Sequence, residues 1–433
     1  MLRHAASYAI TFALSMSCMP GVAEPERPNI ILIMADDLGY ECLSAYGSAS
    51  YQTPELDRLA ESGMRFTHCY SQPLCTPSRV QIMTGRYNFR NYTAFGVLPP
   101  TEITFGHLLQ NAGYATAIAG KWQLYGFDSR DYQSAGKGTL PENAGFDDYC
   151  LWQVTKNKRE GERYAEPLIQ RKDSPPDTVE DGYGPDVFCD FILNFIDEHK
   201  EGPFFVYYPM ALPHDPFVPT PGSDGWSGDR YARSTENFAG MVAYTDKIVG
   251  RIVQKLDELN LRENTLVIFT GDNGAHPSIE SRMSDGRVIS GAKGQPTDAG
   301  TRVPFIANRP GAIPAGVIND SLVDFSDFLP TLCELSGAAL PSDRVIDGRS
   351  LVPQLRGEPV EHREWIFSHY DPHWGDREFS RFARDRRWKL YSDGRLFDVQ
   401  DDPLEENPLD DTQLSPEALR VRNSLRQVLE TLR

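Results

Sequence analysis

Asn29–Ala35 is an unbroken apolar run, Asn-Ile-Ile-Leu-Ile-Met-Ala. A strand covered on both faces reads this way, which places it inside a parallel sheet. Short apolar runs recur at 66–70, 114–119, 203–208, 265–270 and 303–307. Between them the apolar positions change to helical spacing. Residues 53–64, 103–112, 186–199, 234–259 and 323–336 each read as a helix. In 186–199, Val187, Phe188, Phe191, Ile192, Phe195 and Ile196 make one apolar face. In 234–259, Met241, Val242, Ile248, Val249, Ile252, Val253 and Leu256 do the same. Strands alternating with helices predict an α/β fold, a large mostly parallel sheet sandwiched by helices. Residues 125–183 are rich in Gly, Asp and Lys with weak periodicity, and read as loops over the sheet edge.

The pattern changes after about residue 356. Short strand-like pieces at 365–368, 388–391 and 395–399 and a helix at 415–432 predict a smaller antiparallel sheet plus helix. Ser392-Asp393-Gly394 is a hairpin turn between two of the strands. The expected division is a leader at 1–23, a catalytic α/β unit at 24–356 and a C-terminal α+β unit at 357–433. The leader reading rests on Arg3 and His4, an uncharged apolar stretch to Met19, and small residues at Gly21 and Ala23. That stretch is short for a membrane span, so a periplasmic or secreted protein is expected.

The chain has 433 residues, 40% of them hydrophobic, and a formal charge of −18. Length and composition predict a globular chain with more than one core. The acidic balance excludes a nucleic-acid binder of the usual basic kind. Of seven cysteines, five (Cys42, Cys69, Cys150, Cys189 and Cys333) are scattered, with neither a disulfide framework nor zinc-ligand spacing.

The strand ends carry the chemistry. Asp36-Asp37 directly follow the first strand, at the edge where open α/β sheets bind ligands. The pair either opens a solvated turn or holds a hard divalent cation, Ca²⁺ or Mg²⁺, which takes oxygen ligands. Gly271-Asp272-Asn273-Gly274 repeats the arrangement after 265–270. Lys121 ends one strand, and His214 stands between Pro213 and Pro216 after another. Lys293 follows a polar loop. In Leu74-Cys75-Thr76-Pro77-Ser78-Arg79, Pro77 and Ser78 suit a first helical turn, with Val80, Ile82 and Met83 behind them. Cys75 then lies at a helix N-terminus, where free N–H groups favour an anion or a polarised oxygen. Taken alone, it fits a small core cysteine equally well.

With these residues in view, the chain resembles the type I sulfatases of the alkaline-phosphatase-like superfamily over nearly its whole length after the leader. Cys75-Thr76-Pro77-Ser78-Arg79 matches the Cys-x-Pro-Ser-Arg signature, continued by Thr84-Gly85-Arg86. Gly120-Lys121-Trp122, Pro213-His214, Gly271-Asp272-Asn273-Gly274 and Lys293 follow in family order. The resemblance implies a sulfatase that splits an organic sulfate ester into alcohol and inorganic sulfate. It implies that a maturation enzyme oxidises Cys75 to formylglycine, whose hydrate is the nucleophile. It implies Ca²⁺ bound by Asp36, Asp37, Asp272, Asn273 and the oxygen at position 75. Lys121, His214 and Lys293 would surround the sulfate, with Arg79 anchoring the nucleophile. His214 or Lys293 would protonate the departing alcohol. Export and the long edge loops make a sulfated carbohydrate the expected substrate.

One position departs from the family. Gln123 stands where most members have a histidine that takes a proton from the sulfated intermediate. An amide does not titrate, so glutamine binds substrate but is no base. His276 and a second use of His214 are the candidates for that proton. His276 and His373, the latter in the run 369–374, are further expected substrate contacts. Two other readings stay open: a phosphoester or phosphonate hydrolase on the same fold, and a binder of sulfated glycans that does not turn over.

Overall fold

The computed structural model describes residues 27–128, 133–156, 161–410 and 412–432. The expected leader lies outside the described residues. Ten strands form the main sheet: β1 (Asn29–Ala35), β2 (Met64–Tyr70), β3 (Ala115–Lys121), β4 (Asp148–Trp152), β5 (Leu168–Arg171), β6 (Asp177–Thr178), β7 (Phe204–Pro209) and β8 (Thr265–Gly271). After a small ribbon of β9 (Glu280–Arg282) and β10 (Val288–Ser290) come its last two, β11 (Arg302–Asn308) and β12 (Val317–Asp324). The order is β12-β2-β11-β8-β1-β7-β3-β4-β5-β6.

The run β8-β1-β7-β3-β4 is parallel throughout. Its strands therefore end at one common edge, and that edge carries the site. β1 shows why its sequence is uniformly apolar. Ile31, Ile33 and Ala35 pack into one hydrophobic cluster, and Ile30, Leu32 and Met34 into the other, on the opposite face. The helices Gly184–Glu198 and Asn237–Glu258 cover the first face, while Cys75–Thr84 and Phe328–Ser336 cover the second.

The sheet is mixed rather than parallel at its flanks. β11 runs antiparallel to both β2 and β8, and β5 runs antiparallel to β4. Two local expectations are corrected. The stretch 125–183 is not all loop, because β4, β5 and β6 extend the sheet there. Residues 323 and 324 close β12, and the helix starts only at Phe328. Asn319, Asp320 and Ser321 interrupt the apolar pattern of β12, which is an edge strand with a polar side.

The C-terminal sheet is antiparallel, in the order β13 (Ile366–Tyr370), β14 (Ser380–Arg384), β15 (Trp388–Tyr391), β16 (Leu396–Asp398). The helix Pro416–Thr431 packs on it through Ala418, Leu425, Val428 and Leu429. β14 escaped the sequence reading because its Ser-Arg-Phe-Ala-Arg has only two apolar residues. The six described cysteines are all free and buried. Among the described residues no helix is long and apolar enough to cross a membrane.

Candidate active site

Cys75 is the first residue of a helix buried along its entire length, polar side chains included. A fully buried helix must satisfy its polar groups internally. Here a chain of amides satisfies the Gln81 side chain and its neighbours. The Ser368 hydroxyl donates to Gln72 Oε1 (2.8 Å), Gln72 Nε2 to Gln81 Oε1 (2.7 Å), and Gln81 Nε2 to Asp324 Oδ1 (2.7 Å). The backbone N–H of Gln72 donates to Ser78 Oγ at 3.0 Å. This network joins the cysteine helix to β12 and β13 and fixes its first turn. The helix ends at Gly85, whose left-handed φ of 67° an L side chain rarely adopts.

Five strand ends supply the other groups. Asp36 and Asp37 leave β1, Lys121 ends β3, Gln153 follows β4, His214 follows β7, and Asp272 and Asn273 follow β8. Ala35 lies beside Gly271 in register, which sets the two oxygen-ligand pairs side by side. Gly271 is required there, because a Cβ would stand 2.1 Å from the carbonyl oxygen of Leu38.

The three carboxylates are completely buried. Lys121 Nζ donates to both oxygens of Asp36, at 3.0 and 2.9 Å. Lys293 Nζ donates to Asp37 Oδ2 at 2.7 Å. Arg79 donates to Asp272 Oδ2 at 3.2 Å and to the Lys121 carbonyl at 2.9 Å. Burial alone would raise the Asp36 carboxyl, but the cations around it, Lys121 foremost, hold it well below the usual range. Asp272 behaves oppositely and is pushed up to about 7, by burial first and then by the negative charge of Asp36. Asn273 Nδ2 donates to Asp37 Oδ1 at 2.9 Å, while its Oδ1 is buried without a partner.

His214 is held far below the usual histidine range, by burial first and then by the charge of Lys293. It is neutral. Its Nδ1 donates to the Asp215 carbonyl at 2.5 Å, which leaves Nε2 to accept from Lys293 Nζ at 2.9 Å. Burial opposes the charge on Lys293, but Asp37 outweighs it and keeps the ammonium protonated above its ordinary value. The Tyr164 hydroxyl pins this loop at the carbonyls of Ala211 (2.7 Å) and His214 (2.5 Å).

A cavity of about 380 Å³ opens above these groups. Cys75, Lys121, Gln123, His214, His276 and Lys293 all line it. The Cys75 thiol donates to Gln123 Oε1 at 3.8 Å. His276 is half-buried, with Nδ1 2.9 Å from the Ser278 hydroxyl. His373 is a correction, because it is exposed and lies outside the lining. Its ring is held outward by the Thr93 carbonyl (2.8 Å) and Asp371 (3.0 Å). The next residue, Trp374, turns inward instead and stacks on Phe95, centroids 4.3 Å apart and planes at 10°. Phe127 meets Phe95 edge-on at 6.1 Å, and the Arg377 guanidinium covers Trp374 at 4.6 Å.

Sequence reasoning missed Phe95, Phe127, Gln153, Arg163 and Arg377, and noticed Trp374 only as the end of the run 369–374. They come from loops without a motif.

The sulfatase family model matches residues 28–338, and the C-terminal model of N-sulphoglucosamine sulphohydrolase matches 296–433. The N-acetylgalactosamine-6-sulfatase of Canis lupus familiaris is 32% identical over 398 residues, covering 83% of this chain and 72% of that one. Arylsulfatase D of Homo sapiens is 28% identical over 463 residues, covering 87% and 77%. Among solved structures, Ps i-CgsB in complex with k-i-k-neocarrahexaose superimposes with a TM-score of 0.75 at 25% identity, covering 94% and 92%. The family match spans most of the chain. The chain belongs to the type I sulfatases of the alkaline-phosphatase-like superfamily and is a sulfuric ester hydrolase.

Proposed function

We propose that this sulfatase hydrolyses a sulfate ester on a carbohydrate, with Cys75 converted to formylglycine and Ca²⁺ bound by Asp36, Asp37, Asp272 and Asn273. Mg²⁺ is the alternative cation. The observation that carries the reading is the shared cavity. Cys75, at the head of its buried helix, opens into the same space as Lys121, His214 and Lys293.

The donor set fits a hard cation. Three buried carboxylates crowd together, and Asn273 Oδ1 is buried with nothing to accept from. Asp36, Asp37 and His214 offer atoms within 4.8 Å of one another. His214 is committed to Lys293, so the remaining donors are oxygens, the preference of Ca²⁺ over zinc. A bound cation supplies positive charge that neutralises sulfate oxygens and makes a hydroxyl at position 75 easier to deprotonate.

The chain's own residues do the rest. Lys121 and Lys293 present fixed ammonium groups in a water-poor site, where charge developing on sulfuryl oxygens is stabilised more than in water. Lys293 holds the proton destined for the departing alcohol, and neutral His214 orients it through Nε2. Gln123 keeps its amide against position 75 without titrating. The Phe95–Trp374 stack, with Phe127 at its edge, gives the mouth an apolar wall that suits the face of a sugar ring. Asp128 and Asp215, on the same lining, suit ring hydroxyls. Export to the periplasm or beyond and modification by a formylglycine-generating enzyme belong to the same reading.

The test is release of inorganic sulfate from a panel of sulfated mono- and oligosaccharides, with an aryl sulfate and an aryl phosphate as references. Position 75 is checked by mass spectrometry, and Ca²⁺ is added back after chelation. Sulfate release from at least one sugar, lost on chelation and absent in Cys75→Ala, is expected. Faster cleavage of the phosphate than of every sulfate would sink the reading.

A further inference from the structure

Among the described residues four cationic side chains stand around the carboxylate cluster, and three of them hydrogen-bond a carboxylate. Lys121 is bonded to Asp36, Lys293 to Asp37, and Arg79 to Asp272. The fourth is Arg163. It is 5% exposed, lines the cavity, and makes no hydrogen bond among the described residues. Its Nη1 is buried without an acceptor, and the nearest carboxylate oxygen, Asp36 Oδ2, is 3.7 Å away.

A buried, unpaired N–H of a charged group is costly, on the order of 1–3 kcal/mol or more. The surroundings nevertheless hold Arg163 in place. Its guanidinium lies 4.0 Å from the centroid of the Trp152 ring, and Trp152 is anchored by its own Nε1, which donates to the Gly161 carbonyl at 3.2 Å. Trp152 is the last residue of β4 and pairs in register with Lys121. The arginine, on the loop after β4, thus stacks on the end of the strand next to the one that ends in Lys121 and continues to Gln123. Stacking fixes the plane of the fork and leaves its N–H groups for an anion.

We propose that Arg163 is a further catalytic residue, its guanidinium donating to a non-bridging oxygen of the ester sulfate. The proposal rests on the sulfate-ester reading above. It gives a physical role to the departure at Gln123. A histidine there would add a titrating, partly cationic ring. This chain has a neutral amide at 123 and an arginine lining the same cavity. A guanidinium does not give up its proton in proteins, so the task of such a residue is to hold charge on the sulfate and not to move a proton. The other three cations must give up or share a carboxylate to meet sulfate. Arg163 gains its first hydrogen bond by doing so.

The experiment uses the full chain, Ca²⁺-loaded and with position 75 verified as formylglycine. Binding of inorganic sulfate is measured by calorimetry and as product inhibition, beside kcat and KM. Arg163→Met is expected to weaken sulfate binding about ten- to a hundredfold, the scale of a charged hydrogen bond. It is expected to lower kcat/KM by about 10²–10³, as for loss of one oxyanion donor. Arg163→Lys keeps charge but not the stacked fork, and is expected to fall between. A purely structural arginine would lower the melting temperature and leave sulfate affinity unchanged. If Arg163→Met does not fold, Arg163→Lys decides on the same readout. Wild-type sulfate affinity in the folded variant overturns the proposal, whatever the wild-type enzyme hydrolyses. Absence of turnover on every ester, with sulfate still bound through Arg163, would instead remove the chemistry proposed above and leave the anion site standing.

Discussion

The proton inventory of the site is set by single residues. Lys293 touches Asp37 Oδ2 at 2.7 Å and His214 Nε2 at 2.9 Å, so one ammonium is shared between a carboxylate and a neutral imidazole. Under the proposed function, that arrangement favours Lys293 over His214 as donor to the leaving alcohol. Lys293→Ala is therefore expected to cost about 10²–10³ in kcat on a sugar sulfate and much less on a nitrophenyl sulfate. A nitrophenolate leaves without a proton, whereas an alkoxide does not. Equal losses on the two substrates would assign Lys293 a purely electrostatic part. The sequence marked Lys293 by its place in the family order but left the donor open between it and His214. The short contact between them is what supports the division of roles proposed above. Arg163 is the opposite case: no motif surrounds it, and only its unbonded Nη1 in the cavity wall gives it away.

At the scale of elements, the site depends on parallel strands ending together and on helices held by groups from elsewhere. The helix Pro54–Glu61 has no side-chain cap from its own N-cap, Thr53. Asp246, on the long helix Asn237–Glu258, supplies one instead. Its carboxylate accepts from the backbone N–H of Leu56 at 2.8 Å and of Glu55 at 3.1 Å. Burial raises the Asp246 carboxyl to about 6, against the ordering effect of those two bonds. Its unfolded value is about 3.9. Between these pH values the folded state binds more protons than the unfolded one, so this group makes stability fall as pH rises from about 4 to about 6. The decrement is on the order of 2 kcal/mol. Denaturant unfolding across that range is expected to show a shallower decline in Asp246→Asn than in the wild type. Parallel pH curves would mean that Asp246 does not titrate there. Helical periodicity made both helices legible in the sequence. The capping partner, 190 residues away, was not, because capping by a tertiary neighbour leaves no local pattern.

The whole molecule ties its small C-terminal sheet to the catalytic edge. Arg384 on β14 forms a buried ion pair with Asp298, and the Asp298 N–H donates to Glu405 at 3.0 Å. Lys389 on β15 donates to Glu405 at 2.8 Å and to the Pro296 carbonyl at 2.5 Å. The segment gripped in this way begins next to Lys293-Gly294, and the Gly294 N–H donates to the Pro73 carbonyl, two residues before Cys75. The C-terminal sheet thereby steadies both the lysine and the cysteine loop, and Trp374, between β13 and β14, completes the cavity wall. Arg384→Met leaves Asp298 buried without its partner and is expected to cost about 3–5 kcal/mol of stability. Activity measured well below the lowered melting temperature is expected to fall as well, since the Lys293 loop loses a clamp. A destabilised variant with full activity would separate the two units.

The sequence by itself determined the alternation of strands and helices, the carboxylates and cations at the strand ends, and the helix that begins at Cys75. These follow from periodicity, capping preference and motif spacing, which are local properties of the chain. Tertiary structure decided the antiparallel turn of β11, the extension of the sheet through β4 to β6, and the inward turn of Trp374 beside an outward His373. It also decided that Arg163 lines the cavity, stacked on Trp152 and without a hydrogen bond to its buried Nη1. Each of these depends on which distant segment supplies a hydrogen bond or a packing surface, and such long-range pairing leaves no period in the sequence.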